Sequence, residues 1–317
     1  MHLRIALLLA MLAWTGPAFA QGKAIQFIVP FPPGGSADGI ARIVATELGE
    51  RLKRQVVVEN KPGAGGGLGL QLLSKAPPDG DTLAVGATGA LVINPHVPGS
   101  SGFDPLRETT PIAKLIDIPI VLVSNAKTGP QTVKEMLDRS KSTAGGLSFG
   151  TTGANSSQHL AIELLKKVTG ANLFHVPYRG SAPAAMAVIG DQVPLASVDL
   201  TSGHPHIKAG TLKALGITAT SRSKTAPDIP TIAESGVPGF DGSSGYIGLF
   251  APPGTPAAKI RQLSVEVAAI VAKPEVQAKI ALLSVEPAYA DEVAFGKMLA
   301  ADSAKWKGLF QTMPAVK

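Results

Sequence analysis

The chain has no cysteine, which excludes disulfides, a thiol nucleophile, cysteine-based metal centres and a lipid-modified N-terminal cysteine. Aromatic residues are scarce, at 5% of the sequence, and its basic residues stand at isolated places such as Lys53-Arg54, Lys166-Lys167 and Lys279. A nucleic-acid surface needs clustered positive charge interleaved with aromatics, so the net charge of +6 reads as a solvated surface with a mild preference for anions. Beyond the N-terminus no uninterrupted apolar run reaches the roughly 20 residues that span a bilayer, because Gly, Pro, Lys and Asp punctuate every segment.

The N-terminus carries the one export signal. Met1-His2-Leu3-Arg4 precedes the apolar run Ile5 to Leu12, and Ala18-Phe19-Ala20 forms the small-x-small pattern read by signal peptidase. This predicts a signal peptide over residues 1–20, cleavage after Ala20 and release into the periplasm. The mature chain, Gln21 to Lys317, is long enough for two lobes with their own cores.

Glycine and proline dominate the most informative stretch, Ile25 to Ala41 (IQFIVPFPPGGSADGIA). An apolar strand breaks at Pro30, Pro32 and Pro33, turns at Gly34-Gly35 and flows into a helix that Ser36 or Asp38 can cap. Free N–H groups at such a helix start attract carboxylates or phosphates. The same grammar recurs from Leu147 to Leu160 (LSFGTTGANSSQHL). Two seats of this kind suggest one anionic ligand held between two lobes.

Along the chain, β-rich runs alternate with helical ones: Ile25–Phe31 then Ile40–Leu52, Val56–Glu59 then Leu68–Ser74, Val121–Ser124 then Val133–Ser140, Leu147–Gly150 then Ser157–Thr169. This rhythm predicts an α/β fold with mainly parallel strands. From Pro256 onward three amphipathic helices come in series. Ser243 to Thr255 reads as a crossover between lobes, matched by another near Val121 to Lys127. The expected lobes are therefore 21–123 with 247–317, discontinuous in sequence, and 124–246.

VPFPPGGSADGIAR (29–42), VVVENKPGAGGGLG (56–69), PPDGDTLAVG (77–86), GTTGANSSQHLA (150–161), HVPYRG (175–180), HIKAGTLKALGIT (206–218), PDIPTIAESGVPGF (227–240) and GLFAPPGTP (248–256) occur in this order. Together these segments resemble the substrate-binding proteins of tripartite tricarboxylate transporters, the Bug family. The resemblance implies a two-lobed, type II-like Venus-flytrap protein, each lobe a mainly parallel sheet flanked by helices. It implies a monomer without a cofactor that closes over a small organic acid and delivers it to a permease of one large and one small membrane subunit.

Carried onto this chain, the resemblance places Phe31 beside the pocket, with the backbone of Gly34, Gly35, Ser36 and Ala37 and the Ser36 hydroxyl on one carboxylate. Asp38 joins them as a cap or water anchor. Thr152, Gly153, Ser156 and Ser157 supply donors from the other lobe, Thr88 reaches in from the first, and Tyr178 with Gly180 line the second. Asp199 has two readings: an acceptor for a ligand amine, a ligand hydroxyl or pocket waters, or a cap for the helix after it. The sequence departs from the family pattern at Asn155, Gly203-His204 and Gly245, positions that bear on pocket size and ligand identity.

Rival readings have less behind them. His159, His175, His204 and His206 invite a metal reading, but His204 and His206 are i, i+2 at a turn-to-helix entry and no carboxylate shares their spacing. The run GAGGGLG (63–69) misses the GxGxxG spacing of a dinucleotide site. Ser156, His159 and Asp199 can be drawn as a hydrolase triad, but no GxSxG elbow is present. A sensor that presents its bound state to a signalling partner would use the same pocket as a transport receptor.

Overall fold

The structure, a computed structural model, describes residues 23–97, 102–240, 242 and 244–312. The signal peptide expected over 1–20 lies outside them. The strands in chain order are β1 (Ile25–Val29), β2 (Val56–Asn60), β3 (Thr82–Ala87), β4 (Thr110–Ile118), β5 (Ile120–Asn125), β6 (Leu147–Thr151), β7 (Leu173–Pro177), β8 (Leu195–Asp199), β9 (Leu212–Ile217), β10 (Gly245–Ala251) and β11 (Glu286–Ala290). They form a six-stranded sheet ordered β11-β4-β10-β3-β1-β2 and a five-stranded sheet ordered β7-β6-β8-β5-β9.

Each sheet has a parallel half and an antiparallel half. β1 pairs in parallel with β2 and β3, and β6 with β7 and β8. β10 runs antiparallel to β3 and β4, and β5 antiparallel to β8 and β9. The sheets are thus mixed rather than mainly parallel, because in each one a strand arriving from the other lobe inserts beside the parallel set. Sheet membership changes at Pro119, the single residue between β4 and β5. The boundary expected after residue 123 would cut β5 in two, whereas the return at Gly245 lies within two residues of the one expected after 246.

Alternation along the strands explains the layers. Ile25, Phe27 and Val29 face one side of the first sheet with Leu83 and Val85, packed against helices Ser36–Leu52, Ala257–Val271 and Pro274–Leu282. Ile28 and Ala84 face the other side, covered by Leu70, Leu73, Leu91, Ile93, Phe295, Leu299 and Trp306. The second sheet is sandwiched in the same way. Val121, Val123 and Val198 meet helices Ser181–Ile189 and Leu200–Lys208, while Leu122, Phe149 and Leu195 meet helices Val133–Ser142 and Ser157–Thr169. Each fully buried Leu, Ile or Phe contributes about 1.5–3 kcal/mol, so the four clusters hold the lobes together. Gly248 makes room in the first core, since a Cβ there would stand 2.2 Å from the Phe295 ring.

Candidate functional site

The carboxyl ends of β1 and β3 face those of β6 and β8, where ligand sites of open α/β sheets lie. After β1, Gly34 takes a left-handed φ of 90° and Gly35 sits at the helix start with no side-chain cap. The first-turn N–H groups of helix Ser36–Leu52 therefore have no side chain covering them. The loop is held from behind. The Asp38 carboxylate accepts from the Gly34 N–H (3.1 Å), Arg42 Nε (3.0 Å) and Asn60 Nδ2 (2.9 Å), and Asn60 Nδ2 also donates to the Phe31 carbonyl (3.0 Å). Asp38 thus shapes the loop, its carboxylate occupied by these three donors. Burial pushes that carboxyl up, but the hydrogen bonds from Arg42, Asn60 and Gly34 outweigh it and hold the group below its ordinary value.

The opposite seat starts at Gly153, whose φ of 132° admits only glycine comfortably. Ser156 caps helix Ser157–Thr169 by accepting from the His159 N–H (3.2 Å) and donates to the Gly153 carbonyl (2.8 Å). Its hydroxyl is consumed by the turn. Thr152 and Ser157 both donate to Gln158 Oε1, at 2.9 and 3.3 Å, and Gln158 Nε2 donates to Asp199 Oδ1. Gln158 escaped the sequence reading because a glutamine one residue into a helix carries no motif.

The two seats meet. Ser36 Oγ donates across the cleft to Asp199 Oδ2 at 3.4 Å, and a Cβ on Gly89 would lie 3.4 Å from the Asn155 carbonyl and Ser156 Cα. Ser157 Oγ approaches the crossover at Gly245, 3.4 Å from where a Cβ would stand. Tyr178 donates its N–H to the Thr151 carbonyl (3.0 Å) with its ring over Gly150, and Gly180 opens helix Ser181–Ile189 without a side-chain cap. Thr88 does not offer its hydroxyl to the cleft. It accepts from the Tyr246 N–H (2.8 Å) and donates to the Tyr246 carbonyl (3.3 Å), clasping β3 to the crossover strand instead.

Residues 40–314 match the family described as the tripartite tricarboxylate transporter family receptor. The chain belongs to that family. Protein BugT of Bordetella pertussis is 36% identical over 234 residues, 74% of this chain and 72% of that protein. Among solved structures, MatC from Rhodopseudomonas palustris with bound malate is 27% identical with a TM-score of 0.81, covering 90% of this chain and 98% of its own. R. palustris Rpa4515 with adipate is 28% identical with a TM-score of 0.86, covering 92% and 97%. The two-lobed α/β fold of periplasmic binding proteins is shared with these relatives.

In this receptor-family chain the histidines support the second seat from beneath. His159 accepts the Asn155 N–H at Nδ1 (3.1 Å), which places its own proton on Nε2, 3.6 Å from Glu163 Oε1. Its ring stacks on His175 with centroids 4.0 Å apart, and His175 Nε2 meets Thr151 Oγ1 at 2.6 Å. Burial lowers the His175 pKa to about 4, helped by the neighbouring His159 and Lys166 and opposed by Glu163. Ser156, His159 and Asp199 do not assemble as a triad, because the Ser156 hydroxyl is a cap and both His159 ring nitrogens face other groups.

Proposed function

We propose that this family member is a periplasmic solute-binding receptor that captures a small organic carboxylate between its lobes and delivers it to a tripartite tricarboxylate-type permease of one large and one small membrane subunit. The lobes are 21–119 with 245–317 and 120–244, so that the cleft opens about the crossovers at Pro119 and Gly245. The observation that carries this reading is the pair of opposed donor-rich seats, with Ser36 and Asp199 at 3.4 Å across the cleft. Family membership supports it, as do the malate and adipate held by two relatives. Among the described residues no helix is long and apolar enough to cross a membrane.

A hydrogen bond to a carboxylate is worth about 1.5–3 kcal/mol and an uncapped helix start adds about 0.3–1 kcal/mol, so several together reach micromolar affinity. The test is a thermal-shift screen of residues 21–317 against small carboxylic acids, since a ligand at 100 times its Kd adds about 2.7 kcal/mol. The double substitution Ser36→Ala and Thr152→Ala is expected to weaken the acid found by at least tenfold, with the melting temperature of the unliganded protein nearly unchanged. Unaltered affinity removes these two residues from the site.

A further inference from the structure

Asp199 stands at the end of β8 as the residue preceding helix Leu200–Lys208, where an aspartate ordinarily caps by accepting a first-turn N–H. It makes no such bond. Its carboxyl turns instead into the cleft, with Oδ1 receiving Gln158 Nε2 and Oδ2 receiving Ser36 Oγ of the other lobe at 3.4 Å. The Gln158 amide is oriented by two hydroxyl donors on its oxygen, from Thr152 and Ser157, which leaves its NH2 directed at Asp199. The Asp199 N–H is anchored in turn on Ser181 Oγ at 3.0 Å. Five residues from three helix starts thus present this one carboxyl to the ligand space, and the helix loses its usual cap as a result.

The groups acting on the carboxyl are Gln158, Ser181 and Ser36, all neutral hydrogen-bond donors. No guanidinium or ammonium is among them, in contrast to Asp38, which has Arg42. Burial drives the Asp199 pKa up and the three donors only partly offset it. A part-buried carboxyl without a counter-charge gains most from a cation or a hydroxyl brought by the ligand, whereas a bare methylene adds nothing to the neutral donors already on it.

Resting on the carboxylate reading above, we infer that Asp199 is the specificity residue of the cleft and selects acids that carry an ammonium or hydroxyl donor beside the carboxylate. The ligand carboxylate takes the N–H groups at Gly35 to Ala37, and its neighbouring donor replaces the long Ser36 contact on Asp199 Oδ2. A simple alkanoic or alkanedioic acid satisfies the first seat and brings no donor to Asp199. A site built to hold a donor discriminates strongly against the analogue that lacks it.

Calorimetric titration of the exported protein with matched sets tests this: aspartate, malate and succinate; glutamate, 2-hydroxyglutarate and glutarate; phenylalanine, phenyllactate and phenylpropionate. On the skeleton that binds, the amino or hydroxy acid is expected to bind at least tenfold more tightly than the unsubstituted acid. Asp199→Asn is expected to erase most of that ratio. Asp199→Ser, which retains a capping residue, serves in its place should the asparagine variant not fold. A ratio below tenfold on every skeleton that binds, or an unchanged ratio in the variant, overturns the inference and leaves the carboxylate reading standing. Binding of none of these acids overturns both.

Discussion

Asp38 illustrates how a carboxylate shapes a helix start from behind. Its carboxylate gathers Gly34, Arg42 and Asn60, residues that otherwise share no element, and so sets the turn that bares the first helix start. Asp38→Ala should therefore cost about 1–3 kcal/mol in denaturant unfolding and loosen ligand binding, because it leaves part-buried donors unpaired. Since its folded pKa is below the ordinary 3.8, its contribution is complete above that pH and disappears as the pH falls beneath it. His175 acts in a higher window. Its folded pKa of about 4 lies under the ordinary 6.5, so the unfolded chain binds more protons between those values and stability falls as the solution is acidified through them. His159, Glu163 and Lys166 face the same ring, so His175→Gln is the clean comparison: its melting temperature should drop less between pH 7 and pH 4.5 than that of the unaltered protein. At this scale Gly34, Ser36, Gly153 and Ser157 were legible, because glycine conformations and hydroxyls at helix starts have local signatures. Thr88 departs from its expected place because its partner, Tyr246, is far away in sequence, and Gln158 acts through contacts that only the folded loop creates.

Helix starts are the working parts one level up. Ser156 and Thr132 are both side-chain caps, the first beneath the cleft and the second on a helix in a different part of the lobe. Replacing either with alanine should lower stability by about 1 kcal/mol, and Ser156→Ala alone should also weaken ligand binding, because it frees the Gly153 carbonyl as well. Equal effects on binding would separate the cap from the seat. Most elements could be read from apolar runs and their breaks; the helix Ser157–Thr169 appears with the bounds expected. β4 and β11 were not anticipated. β11 is EPAYA, whose proline and alanines give little strand signal and are tolerated because it pairs on one side only, with β4. β4 is legible only once β10 returns to lie beside it.

For the molecule as a whole, contacts such as Ser36 to Asp199 and Gly89 against Asn155 belong to a drawn-together pair of lobes. Saturating ligand should then shrink the radius of gyration in solution scattering relative to ligand-free protein; an unchanged radius would mean that the crossovers do not act as hinges. The two-lobed plan itself was visible in the sequence through its repeated strand-turn-helix seats, but its mixed pairing was not, because strand direction depends on where a distant segment comes home. That exchange of strands has a bearing on how the polypeptide is made. A ribosome delivers β3 and β4 early, yet the strand that fills the gap between them, β10, is translated only after the entire second sheet. The second lobe can mature as one continuous piece while the first waits with two unmated strand borders, and that waiting interval is when a chaperone has most to protect.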